Sequence, residues 1–487
     1  MPVRICAIAS EAAPFAKTGG LADVTAALTK YLHAHGHDIR LFTPLYSAID
    51  RASCELTLAP RLTGLTISIG PHQYQYSVYT AALPGSQAQV YLIDCPALYA
   101  RDAIYSFAPD EHLRFIALTR IAIECCQHLA WSPQILHCHD WHAAFGPLLL
   151  RTLYSWDQLF ATTRTVLTIH NIGYQGEFPS AAVADLALGD NAYLLHQDDL
   201  RTGRINPLKH GCMYADAVTT VSPTYAIEIR TPEYGMGLDE VLRDRSSALV
   251  GILNGVDYDE WDPRNDRHIS TPYDATHLSV KAALKQQFLT DMGLQAGPGT
   301  ALAGAVTRLA SQKGIELIVA ALPRLLAARD LVFVALGAGE ARYEESLREL
   351  ARTWPGRVVF HQGYSEEFAH WIEAASDMFL MPSQYEPCGL NQMYSLRYGT
   401  VPVVRRTGGL ADSVQRYNPA TGTGTGVVFD SFTAAALTSA LDAALDLYAQ
   451  PSHWDRMVQN GMAQDFSWER QGGHYVALFE RMLESPT

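Results

Sequence analysis

The sequence has no segment suited to crossing a bilayer, because none of its apolar runs approaches the roughly 18 residues that a membrane helix needs. It also has no block of five or six like charges. Its net charge of -14 argues against the basic surface that nucleic-acid binding usually requires. We therefore expect neither a membrane protein nor a nucleic-acid-binding protein.

Cysteine is sparse and scattered: the chain has 8 cysteines and no CxxC motif, so the spacing indicates no disulfide framework. The short apolar stretch near the N-terminus lies between Arg4 and Glu11 and is too short for a secretory signal. We expect free thiols in a soluble protein of a reducing compartment, such as the cytoplasm.

The chain has the size and composition of a multidomain globular protein: 487 residues, 48% hydrophobic and 18% charged. Short apolar runs alternate with helix-like segments in both halves. The runs span residues 3–9, 39–42, 90–93, 135–136, 166–169, 217–221 and 249–253, and then 301–306, 331–336, 358–360, 378–381, 401–404 and 426–429. Because the strands are apolar on both faces, they predict the α/β class, with parallel sheets covered on both sides.

The alternation pauses between residues 257 and 298, where the chain is rich in Asp, Pro, Arg and Thr. We predict an N-terminal domain over 1–256, a hinge over 257–298 and a C-terminal domain over 299–467. By its pattern alone, a last helix-like stretch over 468–487 could pack on either domain.

One word occurs twice: residues 17–23 read KTGGLAD and residues 406–412 read RTGGLAD, which are identical at six of seven positions. Each copy follows a predicted strand and leads into a helix-like run, which favours two structurally equivalent halves. In α/β sheets, ligands bind at the carboxyl ends of the strands. Lys17 with the backbone of Gly19 and Gly20 suits an anion. A plain glycine turn with an exposed lysine is the alternative.

Three charged residues follow strands of the second half. Arg308 and Lys313 come after the strand at 301–306 and suit a diphosphate, although a solvated loop would look the same. Glu386 opens the word EPCGL, between the strand at 378–381 and a helix-like run at 391–398. A carboxylate there can accept hydrogen bonds from sugar hydroxyls, while the following N–H groups point at an anion.

Two motifs resemble metal sites without meeting their requirements. Residues 137–142 read HCHDWH, but Asp140 stands one place too early for the HxHxDH pattern of metallohydrolases, and no later Cys or His has ligand spacing. Asp257 and Asp259 form a DxD in the predicted hinge, where a solvated turn is the favoured interpretation. The sequence therefore predicts no metal site.

The motifs follow one another in a recognisable order: KTGGL (17–21), HDWH (139–142), TIHN (168–171), NGVD (254–257), Arg308 with KG (313–314), EPCGL (386–390) and TGGL (407–410). From about residue 3 to 470 the chain resembles the bacterial glycogen synthases, close relatives of plant starch synthases. The resemblance implies a GT-B fold, with two Rossmann-like domains facing a deep interdomain cleft. ADP-glucose would lie mainly on the C-terminal domain and the acceptor glucan on the N-terminal one, which the final helix would join.

The activity that the resemblance implies is transfer of glucose from ADP-glucose to the 4-OH at the non-reducing end of an α-1,4-glucan such as glycogen. The anomeric configuration would be retained, without a metal or other cofactor. Two alternatives remain open: a GT-B glucosyltransferase that uses UDP-glucose, and a non-catalytic glucan-binding regulator on the same fold.

The resemblance also assigns roles to individual residues. The implied catalytic residues are Glu386, His170, Arg308 and Lys313. The implied donor-binding residues are Lys17, Gly19, Gly20, Tyr364, Cys388, Gly389 and Leu390, together with the same Arg308 and Lys313. The implied residues of the cleft on the acceptor side are Asp140, Asn171 and Asn254.

Overall fold

The computed structural model describes residues 2–297 and 299–484, and the chain divides into two compact units. Among the described residues, the first unit holds those up to Val221, then Ala226–Gly255 and those from Trp468 onward. The second unit holds Ser222–Tyr225 and Val256–Ser467. The carboxyl-terminal residues 485–487, which the sequence assigned to the last helix, lie outside the described part.

The stretch predicted as a hinge, 257–298, belongs to the second unit and forms no separate linker; residue 298 itself is outside the described residues. Its lysines are buried. Lys281 Nζ donates to Ala374 O and to Thr400 Oγ1, both at 2.8 Å, and Lys285 Nζ lies 2.6 Å from Asp377 Oδ2. The polar composition suggested an exposed linker. The prediction was wrong because long side chains can bury their stems while their charged ends find partners inside the unit.

The first unit is built on a ten-stranded sheet with the order β12-β11-β8-β7-β1-β2-β6-β5-β3, in which β4 pairs with β5. Its strands are β1 (Arg4–Ile8), β2 (Asp38–Pro44), β3 (Thr57–Leu58), β4 (Leu65–Ile69), β5 (His72–Ala82), β6 (Gln89–Asp94), β7 (Ile135–His139), β8 (Arg164–Ile169), β11 (Ala217–Thr220) and β12 (Leu249–Gly251). A separate pair is formed by β9 (Phe178–Pro179) and β10 (Arg204–Ile205).

The edge of this sheet is antiparallel, which the prediction of a parallel sheet missed. β5 pairs antiparallel with β3, β4 and β6, whereas the pairs from β12 to β6 are parallel. Along β5, Tyr76 and Val78 are buried between less buried neighbours. Such alternation is typical of a strand with one solvated face, so a search for continuous apolar runs overlooks it.

The helices of the first unit cover the faces of its sheet. In chain order they are α1 (Gly20–Ala34), α2 (Pro96–Tyr99), α3 (Glu111–His128), α4 (Asp140–Ala143), α5 (Gly146–Arg151), α6 (Gln197–Arg201), α7 (Pro207–Tyr214), α8 (Pro223–Glu228), whose first three residues group with the second unit, and α9 (Asp239–Asp244). Short 3-10 turns cover Pro60–Leu62, Gln158–Phe160, Ser180–Leu186 and Gly189–Leu194. Asp110 precedes α3, but its carboxylate pairs with Arg101 and does not cap the helix.

The second unit has a parallel six-stranded sheet with the order β15-β14-β13-β16-β17-β18. The strands are β13 (Ala301–Val306), β14 (Leu331–Gly337), β15 (Val358–Gln362), β16 (Met378–Met381), β17 (Val401–Arg405) and β18 (Val427–Phe429). The helices are α10 (Leu278–Asp291), α11 (Ile315–Ala328), α12 (Ala341–Thr353), α13 (Glu366–Ala375), α14 (Asn391–Tyr398), α15 (Gly408–Ser413), α16 (Ala434–Tyr448) and α17 (Pro451–Met462), with a 3-10 turn at Ser311–Lys313.

The last helix, α18 (Trp468–Glu484), packs in the first unit against α1. Tyr475 and Phe479 are fully buried, and both rings lie 5.8 Å from the ring of His137 in β7. Gly472 allows the helices to approach closely, because a Cβ there would lie 2.3 Å from the ring of Tyr31. Within the described residues, no helix is both long enough and apolar enough to cross a bilayer.

Candidate active site

The chain order of the second sheet reverses between β13 and β16. β13 and β16 are neighbours in the sheet. The chain continues from β13 to β14 on one side and from β16 to β17 on the other, so the loops that leave these two strands run in opposite directions. A crevice at the carboxyl ends of such strands is where α/β sheets bind ligands. The loop after β13 carries Arg308 and Lys313, and the loop after β16 carries Glu386 and Cys388.

The two loops meet in an ion pair. Lys313 Nζ lies 2.9 Å from Glu386 Oε1 and 2.7 Å from Oε2, and Glu386 is only 4% exposed. Ser383 Oγ donates to Glu386 Oε2 at 2.8 Å. Gly314 follows the lysine with φ +68 and permits this approach, since a Cβ there would lie 2.3 Å from Pro382 O. The tertiary structure thus joins two charged residues that the sequence placed on separate loops.

The TGGL turn at residues 407–410 packs against the backbone of the EPCGL motif at residues 386–390. Gly409 N donates to Glu386 O at 3.0 Å. Added Cβ atoms at Gly408 and Gly409 would lie 1.9 Å from Glu386 O and 2.0 Å from Cys388 O. Gly389 has φ +70, so the chain turns sharply into α14. Only glycines fit this contact, which holds the backbone from Glu386 onward in place at the start of a helix.

Arg308 and Tyr364 complete the predicted donor side of this unit. Arg308 follows β13 and is exposed. Tyr364 lies in the loop between β15 and α13 and is 65% exposed, which leaves its ring accessible. Leu390 stands directly before α14, so the N–H groups beside it lie at a helix N-terminus, where anions are favoured.

The first unit has its own polar cluster at the carboxyl ends of β1, β7 and β8. Sequence reasoning missed its central residue, Glu11, which is 2% exposed. Thr18 donates to Glu11 twice, from its N–H to Oε2 and from Oγ1 to Oε1 at 2.7 Å, and Tyr105 OH also donates to this carboxylate. The only sign of it in the sequence was a single carboxylate shortly after an apolar strand. Its hydrogen bonds with Thr18 hold the glycine turn in place.

That turn presents open backbone. Lys17 Nζ lies 2.8 Å from Asp23 Oδ1, and both side chains are about one-third exposed. Gly19 has extended backbone, and nothing lies within 4 Å of the place its Cβ would take. Gly20 is exposed as the first residue of α1. The turn therefore leaves room for a ligand beside its N–H groups.

Asp140 and His170 are linked across the ends of β7 and β8. Asp140 has φ +53, and its Oδ1 accepts from His170 N at 2.7 Å and from Asn171 N at 3.4 Å. Burial raises the pKa of Asp140 to about 7, although these two backbone bonds oppose the rise. His139 Nδ1 and His170 Nε2 share a hydrogen bond of 2.9 Å.

Burial lowers the pKa of His170 to about 3. Its imidazole is therefore neutral at pH 7 and can donate or accept a hydrogen bond, but it offers no positive charge. Asn171 Oδ1 accepts from Gly173 N at 2.9 Å and so closes a turn. The buried Asn254 has no hydrogen-bond partner at Oδ1 among the described residues.

The histidines of residues 137–142 do not converge on one point. His137 Nε2 bonds Thr168 Oγ1 at 2.7 Å, and His142 stacks on the ring of Tyr105 at 5.0 Å. Within residues 2–297 and 299–484, the one group of three side chains close enough to share a metal ion lies in the second unit and includes neither this cluster nor Asp257.

Comparison with known proteins identifies the family of the chain. Residues 4–244 match the family model described as the starch synthase catalytic domain, and residues 294–463 match that of glycosyl transferases group 1. The chain is 43% identical to a glycogen synthase of Koribacter versatilis over 98% of both chains. It is 39% identical to a glycogen synthase of Thermotoga maritima over 99% of both.

The chain belongs to the glycogen and starch synthase family. Among solved structures it is similar to the catalytic domain of starch synthase IV from Arabidopsis thaliana bound to ADP and acarbose, with a TM-score of 0.92, 33% identity and complete coverage of both chains. The prediction of an α/β, two-domain GT-B glycosyltransferase is confirmed. The chain is an enzyme of this synthase family.

Proposed function

We propose that the enzyme transfers glucose from ADP-glucose to the 4-OH at the non-reducing end of an α-1,4-glucan, with retention of configuration. The ion pair between Lys313 and Glu386, at the point where the strand order of the second sheet reverses, carries the proposal. Curated relatives of this length are glycogen synthases, and the Arabidopsis structure holds ADP and acarbose, which supports the donor and the glucan acceptor.

The donor's diphosphate is assigned to Arg308 and Lys313. A lysine ammonium has three N–H donors, and Lys313 uses two of them on Glu386. The third can reach a phosphate oxygen, so one side chain would connect the carboxylate to the leaving group. Positive charge there stabilises the negative charge that builds on ADP as its bond to C1 breaks.

The glucosyl unit is assigned to Glu386 and to the N–H groups of Cys388, Gly389 and Leu390. A buried carboxylate can accept bonds from sugar hydroxyls and stabilise positive charge at C1. Tyr364 would stack on the adenine, since its ring is accessible.

Residues of the first unit complete the assignment. Lys17 and the backbone of Gly19 and Gly20 would contact the donor's phosphates. His170 would lie at the reacting sugar, through its neutral imidazole or its carbonyl. The remaining residues on the acceptor side would be Asp140, Asn171 and Asn254.

Retention is proposed to proceed by attack on the same face as departure. Retaining glycosidases use two carboxylates about 5–5.5 Å apart, one of them as a nucleophile. Glu386 is a poor nucleophile because Lys313 and Ser383 already bond its oxygens. The acceptor O4 would form its bond to C1 as the bond from C1 to the diphosphate breaks. The hydroxyl proton would pass to the departing phosphate oxygen.

We further propose that transfer needs no metal ion or other cofactor, since Arg308 and Lys313 supply positive charge at the diphosphate. The net charge of -14 argues against a nucleic-acid partner. A bacterial cytoplasm is the proposed location.

The proposal is tested by incorporation of labelled glucose into glycogen from ADP-glucose and from UDP-glucose, each with EDTA present. Transfer from ADP-glucose alone is expected. Preference for UDP-glucose would overturn the donor assignment. Bound ADP without transfer from either donor would instead indicate a glucan-binding regulator. Lys313→Ala serves as the inactive control for background incorporation.

A further inference from the structure

A group of three metal-ligating side chains lies in the second unit among residues to which the proposed transfer gives no role. Ligand atoms of His268, Glu366 and His370 all lie within 4.8 Å of one another. Glu366 is the first residue of α13, and His370 stands four positions later, so the two share one face of the helix. His268 comes from the segment before α10, where its N–H donates to Asp266 Oδ1 at 2.7 Å.

The imidazole of His370 is oriented as a metal ligand. Its Nδ1 lies 2.9 Å from Asp266 Oδ2, which also accepts from Tyr398 OH at 2.6 Å. An ionised carboxylate can only accept hydrogen bonds, so Asp266 requires a donor at His370 Nδ1. The imidazole proton is therefore on Nδ1 and the lone pair on Nε2. Histidines that bind metals usually donate their other N–H to a carboxylate in this way. Trp261 stacks on the ring at 3.7 Å and holds its orientation.

The lone pair on His370 Nε2 is otherwise unexplained. His370 is 0% exposed, and Nε2 has no hydrogen-bond partner among the described residues. A buried polar atom without a partner costs about 1–3 kcal/mol. Folds rarely keep such an atom in a polar surrounding unless a water or an ion completes it.

We propose that His268, Glu366 and His370 bind one Zn²⁺, with water at the fourth position. Two imidazoles and a carboxylate suit zinc, whereas magnesium and calcium prefer oxygen ligands. Ligands about 2.1 Å from a tetrahedral ion lie about 3.4 Å apart. His268 and Glu366 are only half-buried and can move inward to that spacing. The contact from Arg267 Nε to His268 Nε2, 3.3 Å long and exposed, is weak enough to be displaced.

The ion would have a structural effect. It would join the start of α13 to the segment that precedes α10, two parts of the second unit about 100 residues apart in the chain. A ligand that binds only the folded state raises stability by mass action. The proposed transfer gives these three residues no role, so loss of the ion is expected to lower stability and to leave the transfer chemistry in place.

The test uses the full chain, stripped with EDTA, dialysed and titrated with Zn²⁺. We expect one zinc per chain and a higher melting temperature with zinc than without it. His268→Ala and Glu366→Gln should each weaken zinc binding at least tenfold and abolish the shift. Glu367→Gln, an exposed carboxylate at the next position, is the matched control and should bind zinc as the unaltered chain does.

Cobalt replaces zinc in a second measurement. Tetrahedral Co²⁺ bound by imidazole and carboxylate gives visible d–d bands without the thiolate charge-transfer band that cysteine ligation produces. Absence of zinc binding by the unaltered chain would overturn the proposal. So would equal binding by His268→Ala, Glu366→Gln and the control, or a thiolate band. Because the variants retain His370, its bond to Asp266 and hence folding are preserved.

Discussion

Two turns of almost the same sequence meet different surroundings in the two units. In the turn at residues 17–23, the position of a Cβ on Gly19 is open, and the backbone faces free space. In the turn at 406–412, Gly408 and Gly409 press against Glu386 O and Cys388 O. The first turn has open space beside it, whereas the second supports the loop that carries Glu386. An identical word therefore does not imply an identical role.

The lysines of the two units differ in the same way. Lys17 pairs with Asp23 within its own turn, and both side chains are partly exposed. Lys313 pairs with a buried carboxylate that comes from another loop. Exposed pairs contribute little to stability, while a buried charge that loses its partner is costly. We therefore expect changes in the second unit to have the larger effects.

The largest effect is expected for Glu386→Gln. The amide keeps the shape of the side chain but removes the charge that faces Lys313 and that, in the proposed mechanism, stabilises positive charge at C1. Turnover should fall about 1,000-fold, a loss typical of a key electrostatic group, while ADP still binds. Steady-state kinetics and ADP titration measure the two effects. Glu349→Gln, an exposed carboxylate on α12, is the control. Turnover within tenfold of the unaltered enzyme would show that Glu386 is not at the reacting sugar.

The second effect separates the two glycine turns directly. Gly409→Ala places a methyl group 2.0 Å from Cys388 O and should destabilise the second unit by about 3 kcal/mol. Gly19→Ala has an extended backbone and open space, so its free energy of unfolding should change by less than about 1 kcal/mol. Urea unfolding compares the pair. Equal destabilisation by both substitutions would mean that the two turns share one environment.

The third effect is a difference in acid sensitivity between the units. In the first unit, burial lowers the pKa of His137 and His170 to about 3 and that of His210 to about 4. The unfolded chain then binds more protons below pH 6.5, so stability is lost as the pH falls. For His170 alone, the loss at pH 5 is on the order of 2 kcal/mol.

Two raised carboxyl pKa values act in the opposite direction. Asp140, raised to about 7, opposes the histidines within the first unit. In the second unit, burial raises the pKa of Glu373 to about 8. The folded state then binds this proton more tightly than the unfolded chain does, so the stability of the unit increases as the pH falls from 8 towards 4.5. Hydrogen exchange at pH 7 and pH 5, corrected for intrinsic rates, should show protection lost first in the first unit. Equal loss in both units would contradict the assignment of neutral buried histidines.

The smallest effect is expected for Asp23→Asn. The partly exposed pair with Lys17 should contribute less than about 1 kcal/mol, and the contribution should shrink further in high salt. Thermal unfolding at two salt concentrations measures it. A decrease of several kcal/mol in the free energy of unfolding, unchanged by salt, would contradict this expectation. It would mean that the Lys17–Asp23 pair stabilises its unit as strongly as a buried ion pair such as Lys313–Glu386 does.

Local pattern predicted most of the strands, and it placed the candidate site residues in the loops that follow them. Buried parallel strands such as β13 and β14 are continuous apolar runs, and the glycine words mark where they end. β5 was missed because its alternating side chains form no such run. The residues at 257–298 were assigned to a hinge because a buried lysine looks like a surface lysine in a sequence.

Contacts between distant residues were not predictable in the same way. Glu386 follows Lys313 by 73 positions, and His370 follows Asp266 by 104. Glu11 was not singled out at all, although it holds Thr18. No periodicity or spacing connects residues so far apart when only one sequence is read. Which side chains meet depends on strand order and on the loops that cross between strands.

The α/β class and the strands with apolar runs follow from local periodicity, and the turns after those strands follow from glycine's conformational freedom, so both can be predicted from the residues alone. Only packing between distant elements brings Lys313 to Glu386, leaves Gly19 open while Gly409 is enclosed, and places His370 near His268 and Glu366. Those outcomes depend on packing between elements far apart in the chain, which local sequence does not encode.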